Sequence, residues 1–330
     1  MAETPGKDMR TTLSSRRGVA LLITLWLAVI LTILVLSFSF MVRTEAHSMA
    51  SYKTGTENKF LAEAGIQRAI IEIFCRNLYE NQSIPMEGYE AFQTDGTSYV
   101  GRLADGFYKI RIFDESGKLD INAMTDASGI LLNSLLVRLG AEKETADTIV
   151  DSILDWRDQD DFRRLHGAES DHYLSLPVPC KAKNAKFDTL EELLHVKGMS
   201  PEILYGKGSR KGLVHFLTVH SGKNAVNVNV ASKEILSAID GMTEDMADSV
   251  IRDRQSGATE QIRATHALLV KNHPLVAQYV SVGESNTYTI DALGYTDNEK
   301  SGFAIRATVV IVDHLNYRYA YYRSPAQIAP

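Results

Sequence analysis

GVALLITLWLAVILTILVLSFSFMV, Gly18 to Val42, is the stretch on which the reading of this chain turns. It runs for about 25 residues without a charge. As a helix rising about 1.5 Å per residue, it crosses a hydrocarbon core of about 30 Å. Lys7, Arg10, Arg16 and Arg17 stand before it, against only Glu3 and Asp8. Positive charge beside a span is held in the cytoplasm. The chain beyond Arg43 is therefore expected outside, as a large periplasmic or extracellular body on a single membrane span.

A cleaved secretory signal fits this run less well. Its apolar region is about 7–15 residues and ends at small residues, whereas Phe38, Phe40, Met41 and Val42 occupy the end here. A plain signal anchor stays open. A third reading fits best. Arg16-Arg17-Gly18 lies directly before the run, where a type IV prepilin is cut by prepilin peptidase. Cleavage after Gly18 would leave Val19 first and keep the apolar helix on the mature protein.

The composition is that of a folding body. Of 330 residues, 45% are hydrophobic and 23% charged, ordinary globular values that allow one to three domains. A net charge of -6 gives no general attraction to nucleic acid or anionic lipid. Two cysteines, Cys75 and Cys180, make no disulfide scaffold. Pairing and two free thiols both remain open for them.

From Arg43 to about Tyr79 there is no proline, and Phe60, Leu61, Ala64, Ile66, Ala69, Ile70, Ile73 and Phe74 recur at three- and four-residue spacing. That is one apolar stripe of a helix, ended by Asn81–Gly88 with its Pro85 and Gly88. Strand candidates follow at Ser98–Leu103 and Phe107–Phe113 around Ala104-Asp105-Gly106. Others return only near the C-terminus, at Thr287–Leu293, Phe303–Val312 and Tyr317–Tyr322. Between the groups the chain reads mostly helical.

The expected fold is therefore α+β: a pilin-like long N-terminal helix packed on an antiparallel sheet, with a large inserted all-helical domain. The expected divisions are a leader (1–18), the transmembrane part of the helix (19–42), the periplasmic helix with the first strands (43–118), the inserted domain (119–279) and the C-terminal strands (280–330).

The insertion holds segments resembling helix-hairpin-helix units. Phe187-Asp188-Thr189 leads through LEELLHV to Lys197-Gly198-Met199-Ser200. Asn227 to Ser232 leads through KEILSAI to Asp240-Gly241-Met242-Thr243. Asp188 with Glu191 suits a capping box, and Gly198 and Gly241 stand where φ > 0 is needed. Phosphate-binding versions of this hairpin carry Gly-apolar-Gly. Here the third position is Ser200 or Thr243, and Glu202, Glu244, Asp245 and Asp248 crowd it with charge that repels phosphate.

Asp151, Asp155, Asp158, Asp160, Asp161, Glu169 and Asp171 form an acidic cluster. Hard oxygen ligands at this density suit calcium. It is not an EF-hand, since Arg163 stands where that loop needs glycine. Arg157, Arg163 and Arg164 offer the alternative of neutralisation by guanidinium. There is no phosphate loop, HExxH or GxSxG, and the histidines do not cluster, so no enzyme is expected.

Taken together, RRGVALLITLW, DESGKLDINA, ILDWRDQDD, HGAESDHY, FDTLEELLHVKGMSPEILYG and NVNVASKEIL resemble, in order, the general secretion pathway protein K family, the largest minor pseudopilins of type II secretion. The resemblance implies a subunit at the tip of the pseudopilus, initiating or capping its assembly to support protein export. Its implied partners are two smaller minor pseudopilins, the major pseudopilin filament, the inner-membrane secretion platform and prepilin peptidase, with no nucleic acid. It also implies calcium in the helical domain, with Asp158, Asp160, Glu169 and Asp171 as candidate ligands. Gly18 and Val19 would flank the cut. Ile23, fifth in the mature chain, is apolar where most pilins carry glutamate, and members of this family likewise lack that glutamate. Phe60, Ala64, Ile70 and Phe74 are the expected partner contacts. The alternatives are a membrane-anchored helix-hairpin-helix DNA-binding protein of competence type and a signal-anchored periplasmic binding protein.

Overall fold

The computed structural model describes residues 13–79, 92–255, 271–283, 285–313 and 316–328. Lys7, Arg10 and the helix-ending segment Asn81–Gly88 lie outside the described residues. The chain divides into two units, Met1–Glu57 and Asn58–Pro330.

In the first unit the structure is the helix α1 (Leu13–Tyr79) over its N-terminal length. This stretch is long and apolar enough to cross a membrane, and its apolar side chains from Val19 to Val42 are exposed. Three of its threonine hydroxyls find partners within the helix. Thr24 donates to Leu21 O, Thr32 to Ala28 O and Thr44 to Phe40 O, at 2.8–2.9 Å. A helix in lipid needs this internal satisfaction.

In the second unit the end of α1 lies on an antiparallel sheet. Its strands are β1 (Asp95–Leu103), β2 (Gly106–Asp114), β9 (Thr287–Tyr295), β10 (Phe303–Ile311) and β11 (Tyr317–Arg323), paired in that spatial order. The two-residue period of strands puts Ile110 and Ile112 of β2, Tyr288, Ile290 and Ala292 of β9, and Ile305, Ala307 and Val309 of β10 on one face. Ala62, Ile66, Ala69, Ile70 and Ile73 of α1 fill that face, and all are buried. Two glycines set how closely helix and sheet approach. A Cβ at Gly65 would meet Ile110 Cγ2 at 2.9 Å, and one at Gly294 would overlap the α1 backbone at Asn58 and Ala62.

Residues 115–286 interrupt the sheet between β2 and its neighbour β9. They contain two similar units around a separate apolar core. In the first, β3 (Leu119–Asp120) pairs in parallel with β6 (Leu217–Thr218), and α2 (Asp126–Arg138) is followed by α3 (Lys143–Arg157). In the second, β7 (Val226–Asn227) pairs in parallel with β8 (Val280–Ser281), and α6 (Lys233–Ala238) is followed by α7 (Glu244–Gln255). The local chemistry repeats too. Asp120 Oδ1 accepts from Asn122 N and Asn227 Oδ1 from Asn229 N, and Thr125 and Ser232 cap the first helices. Gly140 and Gly241, at φ 94° and 83°, follow those first helices. Between the two units stand α4 (Ser170–Leu174), α5 (Pro201–Tyr205) and a hairpin of β4 (Gly206–Lys207) and β5 (Arg210–Lys211), and α8 (Pro274–Ala277) precedes β8.

Two local expectations need correction. LEELLHV forms a 3-10 turn over Leu190–His195 rather than an α-helix. The capping box is shifted by one residue. Asp188 N and Thr189 N both donate to Glu192 Oε1, while the Asp188 carboxylate is taken by Lys183 at 2.7 Å.

Candidate functional site

Helix α3 carries Asp155 beside Asp151 and Ser152, on the side covered by the following loop, and Asp155 is fully buried. The helix stops at Asp158, whose extended backbone turns the chain into the loop 159–168. That loop doubles back over Asp155. Arg164 donates from its backbone to Asp155 Oδ2 at 3.1 Å and from Nη1 to Asp155 Oδ1 at 2.8 Å and Asp158 Oδ2 at 2.7 Å. His166 N donates to Asp151 Oδ2 at 3.0 Å. Gly167 closes on the cluster so tightly that a Cβ would overlap Asp155 Oδ2. The next residues begin α4, with Glu169 at its cap.

One carboxylate oxygen from each of Asp155, Asp158 and Glu169 lies within 4.8 Å of the other two. Glu169 is 2% exposed, yet neither of its oxygens has a hydrogen-bond partner among the described residues, nor has Asp158 Oδ1. Buried carboxylate oxygens left unpaired are costly. Burial, then the charges of Asp155, Asp158, Asp161 and Asp160, push the Glu169 carboxyl up to about 7. Burial raises Asp155 as well, against the opposing pull of Arg164.

Three carboxylates against one guanidinium leave negative charge where a cation would sit. Oxygens on opposite sides of one calcium, each about 2.4 Å from it, are about 4.8 Å apart. The donor set is all oxygen, and one of the orphaned Glu169 oxygens lies within 4.8 Å of an oxygen of each of the other two carboxylates. These residues therefore fit a hard divalent cation.

Of the four expected ligands, the structure brings together Asp158 and Glu169. Asp160 and Asp171 are exposed outside the cluster, where each accepts from a local backbone N–H, of Phe162 at 2.8 Å and His172 at 2.7 Å. Asp155 takes the third place. In the sequence Asp155 is one member of the acidic run, three residues before Asp158, and nothing local marks it as buried.

The remaining candidates are spread along α1. Gly18, Val19 and Ile23 are exposed on the helix of the first unit. Phe60 is 62% exposed, and Ala64 and Phe74 are half-buried, Phe74 against Tyr317. Ile70 is correctable as a partner contact, because its side chain is buried in the chain's own helix–sheet core. The outward isoleucine is Ile71, 51% exposed.

Both hairpin glycines have φ 83°. Ser200 Oγ accepts from Ile203 N at 3.3 Å and Thr243 Oγ1 from Met246 N at 3.2 Å. Their hydroxyls act as helix caps, and Glu244 pairs with Arg138 and Asp248 with Lys233. A Cβ at Gly198 would already touch Ile149 and Thr148 at 3.1 Å, so this hairpin lies against α3 rather than toward a ligand.

Residues 117–205 match the family model for Type II secretion system (T2SS), protein K. Type II secretion system protein K of Pectobacterium carotovorum subsp. carotovorum is 25% identical over 300 residues, 84% of this chain and 88% of that protein. The protein of the same name from Dickeya chrysanthemi is 28% identical over 129 residues, 38% of this chain and 34% of its own. A chain of the crystallised GspK–GspI–GspJ complex of the enterotoxigenic Escherichia coli Type 2 Secretion System matches with TM-score 0.58 and 18% identity. The match covers 87% of this chain and 99% of that one, and it shows the shared fold.

Proposed function

We propose that the chain belongs to the type II secretion system protein K family, structural and non-catalytic pseudopilins. It acts at the tip of the pseudopilus, where it initiates or caps assembly together with two smaller minor pseudopilins. The observation that carries this reading is the body of residues 115–286 set between two neighbouring strands of a pilin-like sheet. Subunits stacked through their first helices leave little lateral room, and such a bulk obstructs a subunit placed above it. The solved relative with this fold comes from a complex of GspK, GspI and GspJ, which supports two small partners.

The N-terminal reading belongs to the same proposal. Prepilin peptidase cuts after Gly18 on the cytoplasmic side, and the apolar helix stays in the inner membrane with the body in the periplasm. Ile23 lacks the carboxylate that would otherwise need a charged neighbour, as suits a first subunit; a buried unpaired charge is costly. Phe60, Ala64 and Phe74, with Ile71, offer α1 to the partners, and the major pseudopilin and the inner-membrane platform engage the assembly below. Calcium occupies the Asp155–Asp158–Glu169 cluster and relieves the repulsion among them.

Copurification with two minor pseudopilins and end-labelling of filaments test the tip role. The expected result is a defined hetero-complex and one label per filament end. Label spread along the shaft, or self-assembly of this chain without partners, would overturn it.

A further inference from the structure

The first hairpin, Val196–Ser200, is not used by the cation cluster as ligand, yet one of its side chains reaches the loop that closes the cluster. Lys197 Nζ donates to two successive carbonyls of that loop, His166 O at 3.3 Å and Gly167 O at 3.1 Å. The same residue's backbone N–H donates to Tyr173 Oη at 3.3 Å. Tyr173 is fully buried and meets Trp156 edge-on, with centroids 4.9 Å apart. Trp156 follows Asp155, and Gly198 fixes the hairpin against Ile149 and Thr148 of the same helix.

We propose that Lys197 is a positioning residue for the cation site, holding the Arg164–Glu169 loop closed so that Glu169 stays beside Asp155 and Asp158. An ammonium has three donors and no acceptor, so it satisfies loop carbonyls without competing for the cation. Gly167 is held between the Lys197 ammonium on its carbonyl and Asp155 against its Cα. If Nζ is removed, the loop loses a two-point anchor and Glu169 gains freedom to turn its carboxylate to water. The hairpin thus becomes part of the metal site's supporting shell. The inference rests on the cation reading above.

The test uses the full chain in detergent with Trp26→Phe, which leaves Trp156 as the sole tryptophan. Calcium itself is titrated against Trp156 fluorescence, and melting is followed with calcium and with chelator. Lys197→Met is expected to weaken calcium binding about tenfold or more, as for other supporting-shell changes. Lys197→Arg, which also donates to two carbonyls, should recover most of the loss. A merely structural role would lower both melts alike and leave the dissociation constant in place. If Lys197→Met does not fold, Lys197→Gln should bind with intermediate affinity. Calcium affinity within twofold of wild type in the Met or Gln variant, or a loss that arginine does not recover, overturns the inference alone. A wild-type chain with no calcium response overturns the cation reading and this inference with it.

Discussion

Gly294 of β9 is where the sheet meets the backbone of α1, and Gly294→Ala should separate them. Its φ is not in the left-handed region, so alanine is conformationally allowed and would, in open space, stabilise by about 0.4–1 kcal/mol. Space decides otherwise. The new Cβ would overlap Asn58 O and Ala62 N and lie 2.7 Å from Leu61 Cβ. Non-bonded carbons sit about 3.5–4.0 Å apart, so α1 must retreat by about 1 Å. Two of the three obstacles are backbone atoms of a helix and cannot rotate aside. A gap of that size forfeits about a quarter to a half of each contact, and Ala62, Ile66, Ala69 and Ile70 all depend on the same approach. The cost belongs at the upper end of overpacking, about 3 kcal/mol.

In a thermal melt of the full chain in detergent this corresponds to a fall of about 5–10 °C. Gly283→Ala is the control, because nothing lies within 4 Å of its Cβ position and its φ is ordinary. It should be neutral or slightly stabilising. A Gly294→Ala melt equal to wild type would refute the close approach of helix and sheet.

Removing calcium should lower the melting temperature, since a ligand at about 100 times its dissociation constant contributes about 2.7 kcal/mol. Asp155→Asn with Glu169→Gln should abolish the difference between calcium and chelator, and identical wild-type melts would remove the metal. His215 and His220 line the crevice between the insertion and the sheet face bearing Thr289, Arg306 and Thr308. Burial, ahead of neighbouring charges, lowers both from the ordinary 6.5. Their contribution is therefore present above about pH 6.5 and lost as pH falls through the depressed folded values. Unfolding followed by denaturant at pH 7.5 and pH 5 should show that loss, and His220→Gln should reduce it. A loss as large in the variant would deny His220 the role. Mass spectrometry of the mature protein should find Val19 at its start, and Gly18→Leu should leave the leader attached. An intact Met1 terminus in wild-type cells would refute cleavage.

The long strands were legible because Tyr108, Ile110 and Ile112 alternate with Lys109 and Arg111, a period that only a half-buried strand requires. The two-residue pairings β3–β6 and β7–β8 were not. Their hydrogen bonds are made by segments about 50–100 residues away, and nothing local demands them. The same limit explains Ile70 and Ile71. Neighbouring residues differ by about 100° around a helix, and the position of the sheet selects which isoleucine it buries. The acidic cluster was visible as composition, but its membership was not. Asp160 and Asp171 are spent on adjacent backbone N–H groups, while Asp155 looks from the sequence like one more polar residue on α3. Burial and the return of the loop through Arg164 and Gly167 turn it inward.

The junction between the two cores shows why so large an insertion leaves the sheet intact. β2 and β9 pair without interruption from Phe107↔Tyr295 to Asp114↔Tyr288. The insertion leaves at Asp114 and returns at Ser285, and these two residues hold each other. The Ser285 hydroxyl, with one proton to give, lies 2.6 Å from Asp114 Oδ1 and 2.8 Å from Thr287 O. Ser116 N donates to the same Asp114 oxygen at 2.8 Å, so one buried carboxylate ties the outgoing and returning chains. For the sheet, residues 115–286 behave as a connection whose ends already lie at hairpin distance. The entropic cost of such a connection grows only slowly with its length, and the insertion has its own core to offset the ordering of its residues. The sheet can therefore carry a second domain without changing its register, and the insertion is added where it leaves the α1-packing face untouched.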